Sequence, residues 1–221
     1  MEPFVTHRGR VALLDWSDVN TDLVIPARYL KRVERTGYGP LLFADKRYVP
    51  GGAPEPDAPE SHGAELPDFP LNRNEAKGAS ILVVGPNFGC GSSREHAVWA
   101  VAQAGFRAVF APGKDVGFAD IFEGNAYNNG LLPVELPKAD WDKLADAARA
   151  SAGVEATIDL QALMLTIHGP SGDVPITVEV PEGQRQRLLQ GLDAISETLL
   201  HDDEIREHEA GRSAWLTPAS A

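Results

Sequence analysis

The clearest order in the chain is a series of short apolar runs separated by glycine, proline and acidic clusters. Ser80 to Gly85 (Ser-Ile-Leu-Val-Val-Gly) is continuously apolar rather than alternating, the pattern of a strand covered on both faces. Phe106 to Ala111 repeats it. Between them a glycine-rich turn leads into a helix predicted from about Ser93 to Ala104, with Gly105 as its left-handed cap. A crossover this short makes the two strands parallel and the connection right-handed. Gly9 to Leu14 predicts an earlier strand, Phe118 to Asn125 a short helix, and Leu131 to Leu136 a further strand. Lys138 to Ala150 reads as an amphipathic helix with Trp141, Leu144 and Ala148 on one face. Three β-type runs follow, near 154–160, 163–168 and 174–180. Gly169-Pro170-Ser171-Gly172 supplies the turn between the last two.

Other stretches have weaker patterns. Asp18 to Asp22 reads as a turn cluster, followed by the apolar run Leu23-Val24-Ile25. Pro26 ends that run or places it at a sheet edge. Ala27 to Val33 predicts a short helix bearing Arg28, Lys31 and Arg32. Residues 50–70 hold six prolines and three glycines and no Lys or Arg, a composition that reads as a long mobile loop. The segment before it is short for an independent domain, so the loop is an insertion and residues 1–221 form one domain. From Gly183 to Ala210 the chain is helical and acidic: between Asp193 and Glu209 seven acids face the single Arg206.

Composition narrows the function classes. The 221 residues carry 32 Asp and Glu against 20 Lys and Arg, a formal net charge of −12. Such a chain lacks the basic stripe that displaces counterions from nucleic acid, and it is repelled by anionic membrane surfaces. Cys90 is the one cysteine, which excludes an internal disulfide and any self-contained zinc knot or iron–sulfur cluster. The Met1–His7 stretch lacks a signal-peptide pattern, and no apolar run approaches the roughly 18 residues of a membrane helix. The expectation is a soluble, cytoplasmic protein.

The stretch with chemical content is Asn87-Phe88-Gly89-Cys90-Gly91-Ser92-Ser93-Arg94-Glu95-His96, where a buried strand meets a helix. Gly89 and Gly91 allow a sharp turn and let a ligand approach the amides. A helix start favours carboxylates or phosphates, and Arg94 adds a fork suited to a carboxylate. Ser92 and Ser93 place two hydroxyls beside it. A purely structural alternative fits the same residues: Ser92-Ser93-Arg94-Glu95 matches a capping box in which Ser92 caps the helix and Glu95 reaches back. No Gly-Lys-Ser/Thr ending is present, and the closing glycine of a serine-hydrolase elbow is absent.

Asn87 to His96, continued by Ala97-Val98-Trp99-Ala100, resembles the signature of the small subunits of 3-isopropylmalate dehydratase, in the aconitase superfamily. The resemblance runs nearly end to end. It includes Asn20-Thr21-Asp22-Leu23-Val24-Ile25-Pro26, Tyr29-Leu30-Lys31, Arg35-Thr36-Gly37-Tyr38-Gly39 and Leu42-Phe43. Gly105 to Val109, Phe118 to Phe122, Asn128 to Pro133, Gly191 to Ile195 and Ala214-Trp215-Leu216 continue it in order. Two features depart from the family pattern: Gly113-Lys114-Asp115-Val116-Gly117 stands where a serine is usual, and the 50–70 loop is long.

The resemblance implies an α/β fold, a swivelling β/β/α domain of the aconitase C-terminal type with a mixed sheet and flanking helices. It implies a heterodimer that isomerises 2-isopropylmalate and 3-isopropylmalate through isopropylmaleate in leucine biosynthesis. The [4Fe–4S] cluster would belong to the large partner, with none bound by this chain, and an open iron site there would act as the Lewis acid. Ser92 matches the position that acts as the base. Ser93 and Arg94, with Gly91, match positions that hold substrate carboxylate, and Asp22 either orients the basic groups or simply forms a turn. Arg28, Lys31 and Arg32 lie where the family reads the substrate's variable side chain, Arg32 being the foremost candidate, against a solvated helix face. The substrate class is a small dicarboxylic 2-hydroxy acid. Related hydro-lyases acting on homoaconitate or a methylated malate, and a non-catalytic anion-binding module, are the alternatives.

Overall fold

The computed structural model describes residues 1–113, 117–151 and 153–212. Lys114 to Val116 of the 113–117 segment and the Ala214-Trp215-Leu216 block lie outside the described residues. The strands are β1 (Thr6–Leu14), β2 (Ala79–Val84), β3 (Ala108–Pro112), β4 (Leu132–Leu136), β5 (Glu155–Asp159), β6 (Met164–Gly169) and β7 (Gly172–Thr177). The helices are α1 (Thr21–Val24), α2 (Ala44–Arg47), α3 (Glu95–Gln103), α4 (Asp120–Asn128), α5 (Lys138–Ala150), α6 (Glu182–Gln190), α7 (Ala194–Leu199) and α8 (Asp202–Ala210). Short 3-10 turns cover Ala27–Lys31, Gly39–Leu41 and Pro70–Asn72. No described helix is long and apolar enough to cross a membrane.

The strands form one mixed sheet in the order β4-β3-β2-β1-β5-β6-β7. The β4-β3-β2-β1 half is parallel, and β1 then pairs antiparallel with β5, which continues through β6 to β7. The apolar pattern follows this division. β2 and β3 are almost wholly buried, as parallel strands between two layers must be, whereas β5 and β6 alternate buried and partly exposed positions. Successive side chains of β2 point to opposite faces, so one core takes Leu82 and Val84 and the other takes Ile81 and Val83. The first core holds Tyr29, Tyr38, Phe43, Phe88 and α3; the second holds Phe110, Trp141, Leu144 and Ile158. Each such fully buried side chain stabilises by about 1.5–3 kcal/mol. Trp141 of α5 also donates its indole N–H to the Val84 carbonyl at 3.0 Å, tying that helix to the end of β2.

The predicted strand–helix–strand unit is present with parallel strands, and α5 occupies the predicted span. Two local readings change. Leu23 and Val24 are not extended, and only Ile25 is: Asn20 caps a one-turn helix, its side-chain oxygen accepting from Leu23 N–H at 2.8 Å. The 50–70 loop is tethered rather than loose, because Tyr29 donates its hydroxyl to the Pro54 carbonyl at 2.7 Å and Arg32 donates to that of Pro56.

Gly89 shows how closely the turn after β2 is packed. Its φ is +79°, and a Cβ there would lie 2.4–2.7 Å from the Phe122 side chain of α4. Gly89→Ala is therefore expected to lower stability by about 2–4 kcal/mol, from backbone strain and overpacking together. Urea unfolding of the purified chain checks this, and an unshifted midpoint would mean that the turn is not held against α4.

Candidate active site

Three loops leave the carboxyl ends of β1, β2 and β3 and meet there, the place where open parallel sheets form crevices. The loop after β2 carries Asn87 to Arg94, and each of its sides is bonded to a neighbour. Toward the β1 loop, Asp18 N–H donates to the Pro86 carbonyl at 2.9 Å and Gly89 N–H to that of Val19 at 2.7 Å. Thr21 N–H donates to the Cys90 carbonyl at 2.9 Å, and the Thr21 hydroxyl to that of Ser92 at 2.8 Å. Toward the β3 loop, Phe88 N–H donates to the Gly117 carbonyl at 2.9 Å and Ala119 N–H to the Phe88 carbonyl at 3.0 Å. Glu135 of β4 braces that side, its carboxylate accepting from the N–H groups of Gly117 and Phe118 at 2.8 and 3.1 Å.

Gly91, Ser92 and Ser93 are exposed on this braced turn. Gly91 has φ +88°, a left-handed conformation that glycine adopts without strain. Arg94 follows with its side chain 15% exposed and pairs with the Asp22 carboxylate. The two residues are 72 positions apart, so only the fold brings them together. Of the two sequence readings of Asp22, orienting a basic group matches this contact.

The capping box does not form. α3 begins at Glu95, with Arg94 at its N-cap and no side-chain cap bond. Long-range bonds explain this: the Ser92 carbonyl is drawn to Thr21, and the Glu95 carboxylate accepts from the Asn129 amide at 2.9 Å rather than reaching back. Ser92 therefore sits on the turn before the helix, not at its first position, and its hydroxyl is not used as a cap. A cleft of about 370 Å³ opens beside it, with Thr21, Asn87, Gly89, Gly91, Ser92 and Arg94 on one wall. Phe118 to Phe122 form the other wall, which includes the first turn of α4 and its unpaired amides.

Arg28, Lys31 and Arg32 do not join this wall. Arg28 pairs with Asp45 and donates to the Tyr29 hydroxyl, while Lys31 faces solvent. The Arg32 side chain is only 7% exposed; it donates to the Thr36 carbonyl at 3.1 Å as well as to Pro56, and lies over the Tyr38 ring. Arg32 is thus neither on a solvated helix face nor among the residues lining the cleft. Thr21 is the site residue that sequence reasoning missed, because its role is a bond to a carbonyl far along the chain.

Comparisons with known proteins bear on the family and the fold. The protein-family model of the aconitase C-terminal domain matches residues 1–139, which include every residue of the cleft. The 3-isopropylmalate dehydratase small subunit of Desulforapulum autotrophicum is 43% identical over 98% of both chains. That of Bacillus licheniformis is 45% identical over 98% of this chain and 99% of its own. The chain belongs to the family of 3-isopropylmalate dehydratase small subunits. A solved 3-isopropylmalate dehydratase structure from Methanocaldococcus jannaschii, 26% identical, superposes with a TM-score of 0.57 over 94% of this chain and all of its own. The fold of the family is thereby established for the mixed sheet and its flanking helices.

Within this family member a larger cavity, of about 700 Å³, shares Phe118 and Asp120 with the cleft and is lined further by α4, β4 and β7. Asp120, Glu123, Glu135, Asp140 and Glu179 line it. Burial, then Glu135 and Asp120, push the Glu123 carboxyl above the usual carboxylate range. Cys90 is half-buried, and burial followed by the Asp18 carboxylate raises its thiol, which keeps it protonated at neutral pH.

His96, close to Ser92 in sequence, turns away from it and packs on Trp99 and Tyr38, ring centroids 4.7 and 5.6 Å apart. Burial lowers its pKa below the ordinary imidazole value; Glu95 opposes this and Arg94 adds to it. The unfolded chain then binds more protons than the folded one below about pH 6.5. His96 therefore costs stability as pH falls through that value, and His7, lowered in the same way by burial, does likewise. Unfolding midpoints measured from pH 7.5 to 5.5 should fall less steeply in His96→Asn than in the natural chain; equal slopes would mean His96 titrates normally.

Proposed function

We propose that this chain is the small, substrate-handling half of an isopropylmalate isomerase, a hydro-lyase interconverting 2-isopropylmalate and 3-isopropylmalate through isopropylmaleate in leucine biosynthesis. The observation that carries the reading is the exposed Ser92 on a turn braced from both sides, with the Arg94–Asp22 pair next to it. Family membership names the reaction; the cleft supplies groups for one part of it.

Ser92 is assigned the proton at carbon. A serine hydroxyl is a very weak base at neutral pH, so its anion needs nearby donors and positive charge. Arg94 and the exposed amides of the turn are the groups of this chain that can supply them. Ser93, Arg94 and the Gly91 backbone are assigned to a substrate carboxylate, the guanidinium offering paired N–H donors that an ammonium cannot match. Asp22 fixes the direction of that fork. Arg32 is assigned to the 50–70 loop, which it pins, rather than to direct contact with substrate.

The donor set of this chain does not fit an iron–sulfur cluster. It has one cysteine, half-buried with a raised thiol, and among the described residues no group of three or more His, Cys, Asp or Glu is placed to hold a metal ion. We therefore assign the [4Fe–4S] cluster to a large partner subunit, and the active enzyme to a cytoplasmic heterodimer without nucleic acid or membrane.

Mixing the chain with its cognate large subunit and assaying isopropylmalate turnover tests the proposal. Ser92→Ala is expected to lower kcat by at least about 100-fold with little change in KM. Turnover within a few-fold of the natural enzyme would remove Ser92 from the base role. Arg94→Lys keeps the charge and loses the fork, so kcat/KM should fall about 10- to 100-fold, chiefly through KM. Unchanged constants would place Arg94 outside the substrate site.

A further inference from the structure

We infer that Thr21 is a positioning residue for Ser92, acting through its hydroxyl bond to the Ser92 carbonyl; the inference rests on the role proposed for Ser92. Thr21 is 2% exposed, so its hydroxyl is committed inside the protein. A threonine at a helix start ordinarily caps the helix, but Asn20 performs that task for α1. The Thr21 hydroxyl is thereby left to reach across to the turn, at 2.8 Å from the Ser92 oxygen. The same residue's N–H holds the Cys90 carbonyl at 2.9 Å. One residue thus grips the turn on both sides of Gly91, whose own freedom would otherwise let it rotate. Gly91 lies directly against this grip, a Cβ built on it falling 3.8 Å from the Thr21 hydroxyl oxygen and 3.5 Å from Asn20 Cβ.

The consequence reaches the proposed chemistry through covalent geometry. A trans peptide is planar, with its N–H opposed to its C=O. Fixing the Ser92 carbonyl toward Thr21 therefore fixes the Ser93 N–H in the opposite direction, away from the Thr21 wall. It also restricts the Cα–Cβ direction of Ser92. Thr21 holds a hydroxyl and an amide donor in register without itself contacting the reacting atoms. Such preorganisation is felt in the transition state more than in ground-state binding.

The experiment uses the full chain, alone and with its large subunit. Thr21→Val keeps the shape and removes the hydroxyl, Thr21→Ser keeps the hydroxyl, and Thr21→Ala replaces valine if that chain fails to fold. Hydrogen exchange of the 89–94 amides should speed up about 10-fold or more in the valine variant and stay near the natural rate in the serine variant. In the reconstituted enzyme kcat should fall about 10- to 100-fold in Thr21→Val with KM within about 3-fold, and Thr21→Ser should restore it. Unchanged exchange overturns the grip, and faster exchange with unchanged kcat overturns the positioning role. A parallel loss in valine and serine variants also overturns it, since a packing role alone would not distinguish them. A natural reconstituted enzyme without isopropylmalate turnover overturns the proposed function, and this assignment with it, while the exchange result still reports on the bond itself.

Discussion

The site depends on the pairing of two segments far apart in sequence, residues 18–22 after β1 and 86–94 after β2. Bonds link Asp18 to Pro86, Val19 to Gly89, Thr21 to Cys90 and to Ser92, and Asp22 to Arg94. Each neutral bond contributes a net of about 0.5–1.5 kcal/mol, and none is strong alone. Their value is that they run in order along both segments, so that shifting one breaks its neighbours. Neither half could hold this shape locally: Asn87, Gly89 and Gly91 all have positive φ, and a run of such residues is flexible unless anchored from outside. The parallel pairing of β1 with β2 delivers the two segments to the same edge of the sheet, and the core on both faces of β2 makes that delivery rigid.

The Arg94–Asp22 pair is a matter of direction more than of stability. Asp22 is 55% exposed, and ion pairs with so much solvent around one partner are worth about 0–1 kcal/mol. What the carboxylate does is orient a planar guanidinium that would otherwise sample many rotamers. Gly117 and Phe118 serve the same end from the opposite side, their amides fixed on Glu135 so that Phe88 has a firm neighbour.

The central strands β2 and β3 were legible because they are nearly uniform apolar runs, and α5 because its buried stripe of Trp141 and Leu144 recurs at helical spacing. The turn was legible as a candidate site through its glycines, serines and arginine. What local pattern could not supply was the competition for each polar group. Ser92 and Glu95 satisfy a capping box on paper, but Thr21 holds the Ser92 backbone carbonyl outside the helix and Asn129 takes the Glu95 carboxylate. Leu23-Val24-Ile25 has the β-branched character of a strand, but Asn20 caps the backbone and the segment coils to meet the turn. Arg32 carries the charge expected of a substrate contact, while its position under the 50–70 loop is set by carbonyls whose location no spacing rule reveals.

Charge supplies the final step. A dicarboxylate approaching the cleft meets Arg94, but that guanidinium is already shared with Asp22, and Asp120 stands on the opposite wall. The chain as a whole carries a net charge of −12. Among the described residues that line the cleft, Arg94 is therefore the one cation at the proposed carboxylate and proton site. On the proposed role, a second carboxylate and a serine anion call for further positive charge, which a partner surface on the open side of the cleft would supply. Such a division, geometry here and further charge from a partner, would suit a small subunit of the family to which the chain belongs.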